Sequence, residues 1–139
     1  MAAFTVVVVS LGYASYATER EILKAIDAEL VLAPADCLTE DAVIQAAQGA
    51  DAILVREAPI SAKVIDALLP RLRAIVRYGV GVDNIDLAHA RERKVYVANN
   101  TSESVSVIDG VTNAVLATVP VGTSPEAIGV NVVTNKVYV

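Results

Sequence analysis

Tryptophan is missing from this chain, and cysteine, histidine, methionine and phenylalanine occur once each. The lone Cys37 excludes an internal disulfide and fits a reducing compartment. A single histidine, with no second ligand at a metal-binding spacing, leaves no metal motif to read. Acidic residues outnumber basic ones 16 to 11, for a formal net charge of −5. No basic stripe exists to neutralise phosphates, so a nucleic-acid partner is not expected. No apolar run approaches the roughly 18–20 residues needed to span a bilayer, so no membrane partner is expected. Ala2–Leu11 is apolar but lacks a basic leader, which argues against an export signal and for a cytoplasmic location.

Small aliphatic residues are what the chain has in plenty. Hydrophobic residues make up 55% of it while aromatics supply only 4%. That composition suits parallel strands buried on both faces. Thr5–Ser10, Glu29–Leu32, Ala52–Val55, Leu72–Val76 and Val95–Ala98 read as strands. Helical segments separate them. Thr18-Glu19-Arg20-Glu21 has the spacing of a capping box, followed by Ile22, Leu23 and Ile26 on one helical face. Thr39 is a good cap for a helix that Gly49 stops, Ser61 caps a third that closes before Pro70, and Asn84 or Asp86 caps a fourth. Five strands alternating with four helices predict a flavodoxin-like α/β unit with strand order 2-1-3-4-5.

Charge nearly vanishes after Asn100, where only Glu103, Asp109, Glu126 and Lys136 carry it. Short strands predicted at 104–109, 114–121, 127–133 and 136–139 describe an antiparallel β meander. Lys94-Val95-Tyr96-Val97 recurs as Lys136-Val137-Tyr138-Val139, an interval of 42 residues, within the range of a propeller blade. The expected division is an α/β unit over 1–99 and a β extension over 94–139 sharing the strand 94–98. Open edges and low charge predict self-association, with a dimer favoured.

Two segments carry a family resemblance. Ala52-Ile53-Leu54-Val55-Arg56 and Arg77-Tyr78-Gly79-Val80-Gly81-Val82-Asp83-Asn84-Ile85-Asp86 make residues 1–99 similar to the N-terminal part of the D-2-hydroxyacid dehydrogenases, phosphoglycerate dehydrogenase and the C-terminal-binding-protein relatives among them. The resemblance implies a flavodoxin-like substrate domain, with an NAD-binding Rossmann domain elsewhere in the enzyme. Residues 94–139 resemble one YVTN-type β-propeller repeat, through Val95-Tyr96-Val97-Ala98-Asn99, Val105-Ser106-Val107-Ile108-Asp109-Gly110, Thr118-Val119-Pro120-Val121-Gly122 and Thr134-Asn135-Lys136-Val137-Tyr138-Val139. The two resemblances overlap at Val95–Asn99, which suggests a chimera, engineered or recombined, joined at a shared strand.

The candidate chemistry lies in the first resemblance. Gly79-Val80-Gly81 lacks the third glycine of a dinucleotide fingerprint and follows the fourth strand rather than the first, so no cofactor is expected there. The family instead implies that the amides of Val80 and Gly81 face a substrate carboxylate, as adjacent N–H groups in an anion nest do. A plain strand-to-helix turn is the alternative. Arg56 matches the family's arginine after the third strand and can grip a carboxylate or phosphate, unless it pairs with Glu57. Glu57 stands where the phosphoglycerate enzymes commonly have serine, and its charge opposes an anionic ligand. Tyr78 completes this vestigial anion site.

The family's catalytic histidine, its partner acid and a second arginine have no match in this sequence, and His89 reads as an exposed helical residue. The expectation is accordingly no catalytic residue and no enzyme, in a self-associating chimera. A weak binding module for 2-hydroxy or 2-keto acids is the alternative, with a fragment of an NAD-dependent dehydrogenase beside it.

Overall fold

The computed structural model describes residues 2–79, 81–99, 104–108, 115–120, 129–131 and 136–138. Its first half alternates β1 (Phe4–Val8), α1 (Ala17–Lys24), β2 (Ala28–Leu32), α2 (Glu40–Ala46), β3 (Ala52–Val55), α3 (Ala62–Leu68), β4 (Ala74–Arg77), α4 (Leu87–Glu92) and β5 (Tyr96–Asn99). These five strands pair in parallel in the order β2-β1-β3-β4-β5. The flavodoxin-like arrangement expected from the alternation is therefore present, with helices on both faces.

Side-chain alternation along the strands divides the core in two. Val7, Val9, Ile53, Val55 and Ile75 face a cluster closed by Val43 of α2, Val64, Ile65 and Leu68 of α3, and Ala90 of α4. Val6, Val8, Leu30, Leu54 and Val76 face the other way, onto Leu23 of α1 and Tyr16. The second face is the thinner one. Leu23 is buried there, whereas Ile22 and Ile26, expected to share its face, are 50% and 53% exposed. Ile26 lies in the turn beyond α1, which ends at Lys24.

The helix caps sort by geometry. Thr39 accepts a hydrogen bond from the Ala42 amide at 3.3 Å, and Asp86 accepts from the His89 amide at 2.9 Å. The Thr18 box does not form, because α1 begins at Ala17 with Tyr16 at the cap and Thr18 already inside the first turn. Ser61 occupies the cap of α3 without a side-chain hydrogen bond to the helix. Gly49 adopts φ +76° just past α2, as a left-handed stop requires.

Beyond β5 the sheet continues antiparallel through β6 (Ser104–Ile108) and β7 (Val115–Pro120). The strands β8 (Gly129–Asn131) and β9 (Lys136–Tyr138) pair with each other in a separate sheet. The two copies of Lys-Val-Tyr-Val are not equivalent. Lys94 sits in a left-handed turn at φ +59° after α4, whereas Lys136 lies within β9. The turns of the expected blade at 110–113, 122–125 and 134–135 lie outside the described residues. Among the described residues no helix is long and apolar enough to cross a membrane.

Candidate functional site

In a parallel sheet of this order the chain winds outward in opposite directions from β1 and β3. The loops after those two strands diverge and open a crevice at their carboxyl ends. Gly12 and Tyr13 follow β1, Arg56 and Glu57 follow β3, and Tyr78 and Gly79 follow β4. Register places the three strand ends side by side, with Val8 beside Leu54, and Val55 beside Arg77.

Ser10 ties the first two loops together. Its buried hydroxyl accepts from the amides of Glu57 at 3.3 Å and Ala58 at 3.2 Å. Gly12 then brings two site residues to one spot. A Cβ placed on it would lie 2.9 Å from Tyr78 Cε2 and 3.3 Å from Arg56 Nη1. The ring and the guanidinium converge because this position carries no side chain. The Gly12 amide donates to the Tyr16 hydroxyl at 2.9 Å, which anchors the loop to the start of α1.

Arg56 is half-buried. Its Nε lies 3.6 Å from Glu57 Oε1, an ion pair too long for a hydrogen bond, and this buried nitrogen has no hydrogen-bond acceptor among the described residues. Arg56 is thus paired, but loosely, and its side chain as a whole stays 39% exposed at the crevice. Tyr78 is 8% exposed. Burial pushes its phenol far above the ordinary value, with the neighbouring Tyr16 hydroxyl adding to the shift, so the ring is neutral at any physiological pH.

Under the glycine loop, the Arg77 guanidinium occupies the space where a Gly79 side chain would stand. Arg77 Nε donates to Asn84 Oδ1 at 3.0 Å, and Asn84 Nδ2 donates to the Ala58 carbonyl at 2.7 Å. The Ile60 amide donates to the Asn84 carbonyl at 2.8 Å, and Ile60 pairs with Ile85 as an isolated bridge. Asn84 therefore joins the loop after β3 to the loop after β4. Gly81 has φ +75°, which a side chain would strain. Val80, whose amide the resemblance assigns to a carboxylate, lies outside the described residues.

Such a crevice can hold a small anion. It offers one underused guanidinium, a second guanidinium beneath Gly79, and a glycine loop that a ligand can approach closely. It does not fit a dinucleotide. The next helix, whose N-terminus would have to meet a pyrophosphate, starts only at Leu87 and is six residues long. Among the described residues no cluster of His, Cys, Asp and Glu is able to hold a metal ion.

His89 lies outside the crevice, and it is not exposed as expected. Its side chain is 17% exposed, with Nε2 2.9 Å from Asp66 Oδ1, an oxygen that Arg93 Nε also reaches at 2.9 Å. The cluster pins α4 to α3 and holds the Asp66 carboxyl below its usual range, the His89 hydrogen bond being the main cause. Cys37 is buried, and that burial, helped by Asp36, raises its thiol, leaving it inert. Ser10, Gly12, Tyr13 and Tyr16 escaped the sequence reading, and Asn84 was read there only as a cap. The polar Ser10 closing a β-branched strand run was the one available signal.

Comparisons agree with the fold. The family model described as D-isomer specific 2-hydroxyacid dehydrogenase, catalytic domain, matches residues 6–117. D-3-phosphoglycerate dehydrogenase of Mycobacterium tuberculosis H37Rv is 37% identical over 65 residues, which cover 47% of this chain and 12% of that protein. Glyoxylate reductase of Korarchaeum cryptofilum is 49% identical over 41 residues, 30% of this chain and 12% of that protein. The NAD+-bound 3-phosphoglycerate dehydrogenase structure from Entamoeba histolytica superposes with a TM-score of 0.62 at 31% identity, over 71% of this chain and 33% of that one. The chain thus matches about an eighth of the curated relatives' length.

These matches correct two expectations. The family model runs through the supposed join at Val95–Asn99 and on to residue 117, which overturns the reading as a non-catalytic chimera. The matched relatives are dehydrogenases and a reductase, which overturns the expectation that the chain stands outside enzyme chemistry.

Proposed function

Since the chain belongs to the D-isomer specific 2-hydroxyacid dehydrogenase family, through its catalytic domain, we propose that it is the substrate-holding part of such a dehydrogenase. The α/β unit over 1–99 binds and orients a small 2-hydroxy or 2-keto acid. Arg56 grips the carboxylate through a charge-assisted hydrogen bond, and the main chain at Gly79 and Gly81 approaches it closely. Tyr78 supplies the neutral wall between them. Oxidation or reduction of the acid belongs to the complete enzyme.

The observation that carries this reading is Arg56 at the crevice between β1 and β3, its side chain 39% exposed and paired with Glu57 only at 3.6 Å. A guanidinium held in place without a full complement of acceptors is prepared for an anionic ligand. Glu57 beside it weakens the hold on a ligand carrying a second negative charge, so monocarboxylates are favoured over phosphorylated acids.

Titrating the isotope-labelled chain with pyruvate and D-lactate tests the proposal. Amide shifts centred on Gly79 and Gly81 are expected, with Arg56→Ala weakening binding by roughly tenfold or more, as loss of a charged hydrogen bond implies. Equal binding by the wild type and Arg56→Ala would rule out the assigned grip. Self-association through the exposed edge strand β2, where Val31 and Leu32 are 37% and 38% exposed, is a secondary proposal. A monomer by light scattering at high concentration would end it.

A further inference from the structure

Three of the chain's five tyrosines gather at the mouth of the crevice, although aromatics are scarce elsewhere. Tyr13 stacks on Tyr78 with ring centroids 5.2 Å apart and planes inclined by 25°. Tyr16 meets Tyr13 edge-on at 5.7 Å and 72°. Tyr78 and Tyr16 are buried, but Tyr13 remains 49% exposed. Its ring is thus braced by two others and still open to solvent. A braced ring loses little freedom when a ligand lies against it.

The position of this stack relative to Arg56 gives it meaning. A single point beside Gly12 lies 2.9 Å from Tyr78 Cε2 and 3.3 Å from Arg56 Nη1. The guanidinium and the edge of the Tyr78 ring are therefore neighbours, and Tyr13 stacks on that ring, so an acid held by Arg56 has this aromatic pair beside it. We infer that Tyr13, stacked on Tyr78, forms a specificity subsite for a flat apolar substituent, so that the chain prefers 2-keto and 2-hydroxy acids bearing an aryl side chain. The inference rests on the carboxylate reading of Arg56 and deepens it.

Glu57 acts in the same sense. Its carboxylate beside Arg56 repels a substituent that ends in a second negative charge, whereas an uncharged ring escapes that repulsion. Aromatic stacking beyond simple burial is worth a factor of about two to ten in affinity. Hydrophobic contact of the ring adds to it, so a preference of at least about fivefold is expected.

The test compares phenylpyruvate with pyruvate on the full chain by calorimetry, reading the ratio of the two affinities. Phenylpyruvate binds at least about fivefold more tightly to the wild type. Tyr13→Ala brings the ratio to about one, while Tyr13→Phe, which keeps the ring, retains it. A ratio left intact by Tyr13→Ala overturns the subsite. If pyruvate binds through Arg56 and phenylpyruvate binds no better, the subsite is wrong and the carboxylate reading stands. If neither acid binds, both fall.

Discussion

Asn84 accepts a hydrogen bond from Arg77 Nε at 3.0 Å, and through the same side chain it holds the Ala58 carbonyl at 2.7 Å. One amide thereby sets the distance between the loop that carries Arg56 and the loop that carries Gly79. Asn84→Ala removes an acceptor of the Arg77 guanidinium and a donor to the Ala58 carbonyl. The expected loss is about 1–3 kcal/mol of folding stability, measured by urea denaturation. A loss within the error of the measurement would mean the two loops are held by other means.

Gly12→Ala tests the convergence from the opposite side. The added methyl meets a buried ring at 2.9 Å and a guanidinium at 3.3 Å. Overpacking of this kind costs about 1–3 kcal/mol, and it displaces Arg56 from Tyr78. Carboxylate affinity should fall along with stability. A variant that keeps both would show that the crevice tolerates a side chain at this position.

Asp66 predicts an acid dependence. Its carboxyl is held below the usual value of 3.8, chiefly by the His89 hydrogen bond and further by Arg93, with Glu92 also facing the imidazole. A lowered folded-state value stabilises the protein above the unfolded value, and that contribution is lost as pH falls through the folded one. The stability difference between wild type and Asp66→Asn should therefore shrink as pH falls below about 3.8 and through the lowered folded-state value. Urea midpoints of the two proteins across that range check it, and a difference independent of pH would exclude Asp66 as the source.

The caps give a paired control. Thr39→Ala deletes a hydrogen bond to the Ala42 amide and should cost about 1 kcal/mol. Thr18→Ala deletes no cap bond and places a better helix former within α1, so it should be neutral or slightly stabilising. Similar losses in the two variants would contradict the placement of the α1 start.

Much of the α/β unit was legible in the sequence because its signals are local. Continuous β-branched runs such as Val6–Val9 report burial on both faces, and Thr39 and Asp86 announce helix starts through their own side chains. The identical Lys-Val-Tyr-Val segments show where local signals stop. Each favours extended structure, yet Lys94 turns left-handed after α4 while Lys136 lies in a strand. A tetrapeptide has too few contacts of its own to prevail over its surroundings. Thr18 failed for a related reason, since Tyr16 packs into the core and starts the helix early.

By itself, the order of residues determined which segments become strands and helices, and that an arginine and a glycine-rich turn follow strands three and four. Those features depend on neighbours a few positions apart. Only the tertiary structure decided that Gly12, Arg56 and Tyr78 share one spot, that Ser10 holds a loop 48 residues away, and that Asn84 bridges 26 residues to Ala58. These distances close because β1, β3 and β4 lie side by side in the sheet. The crevice is a property of strand order, which no single stretch of the chain encodes.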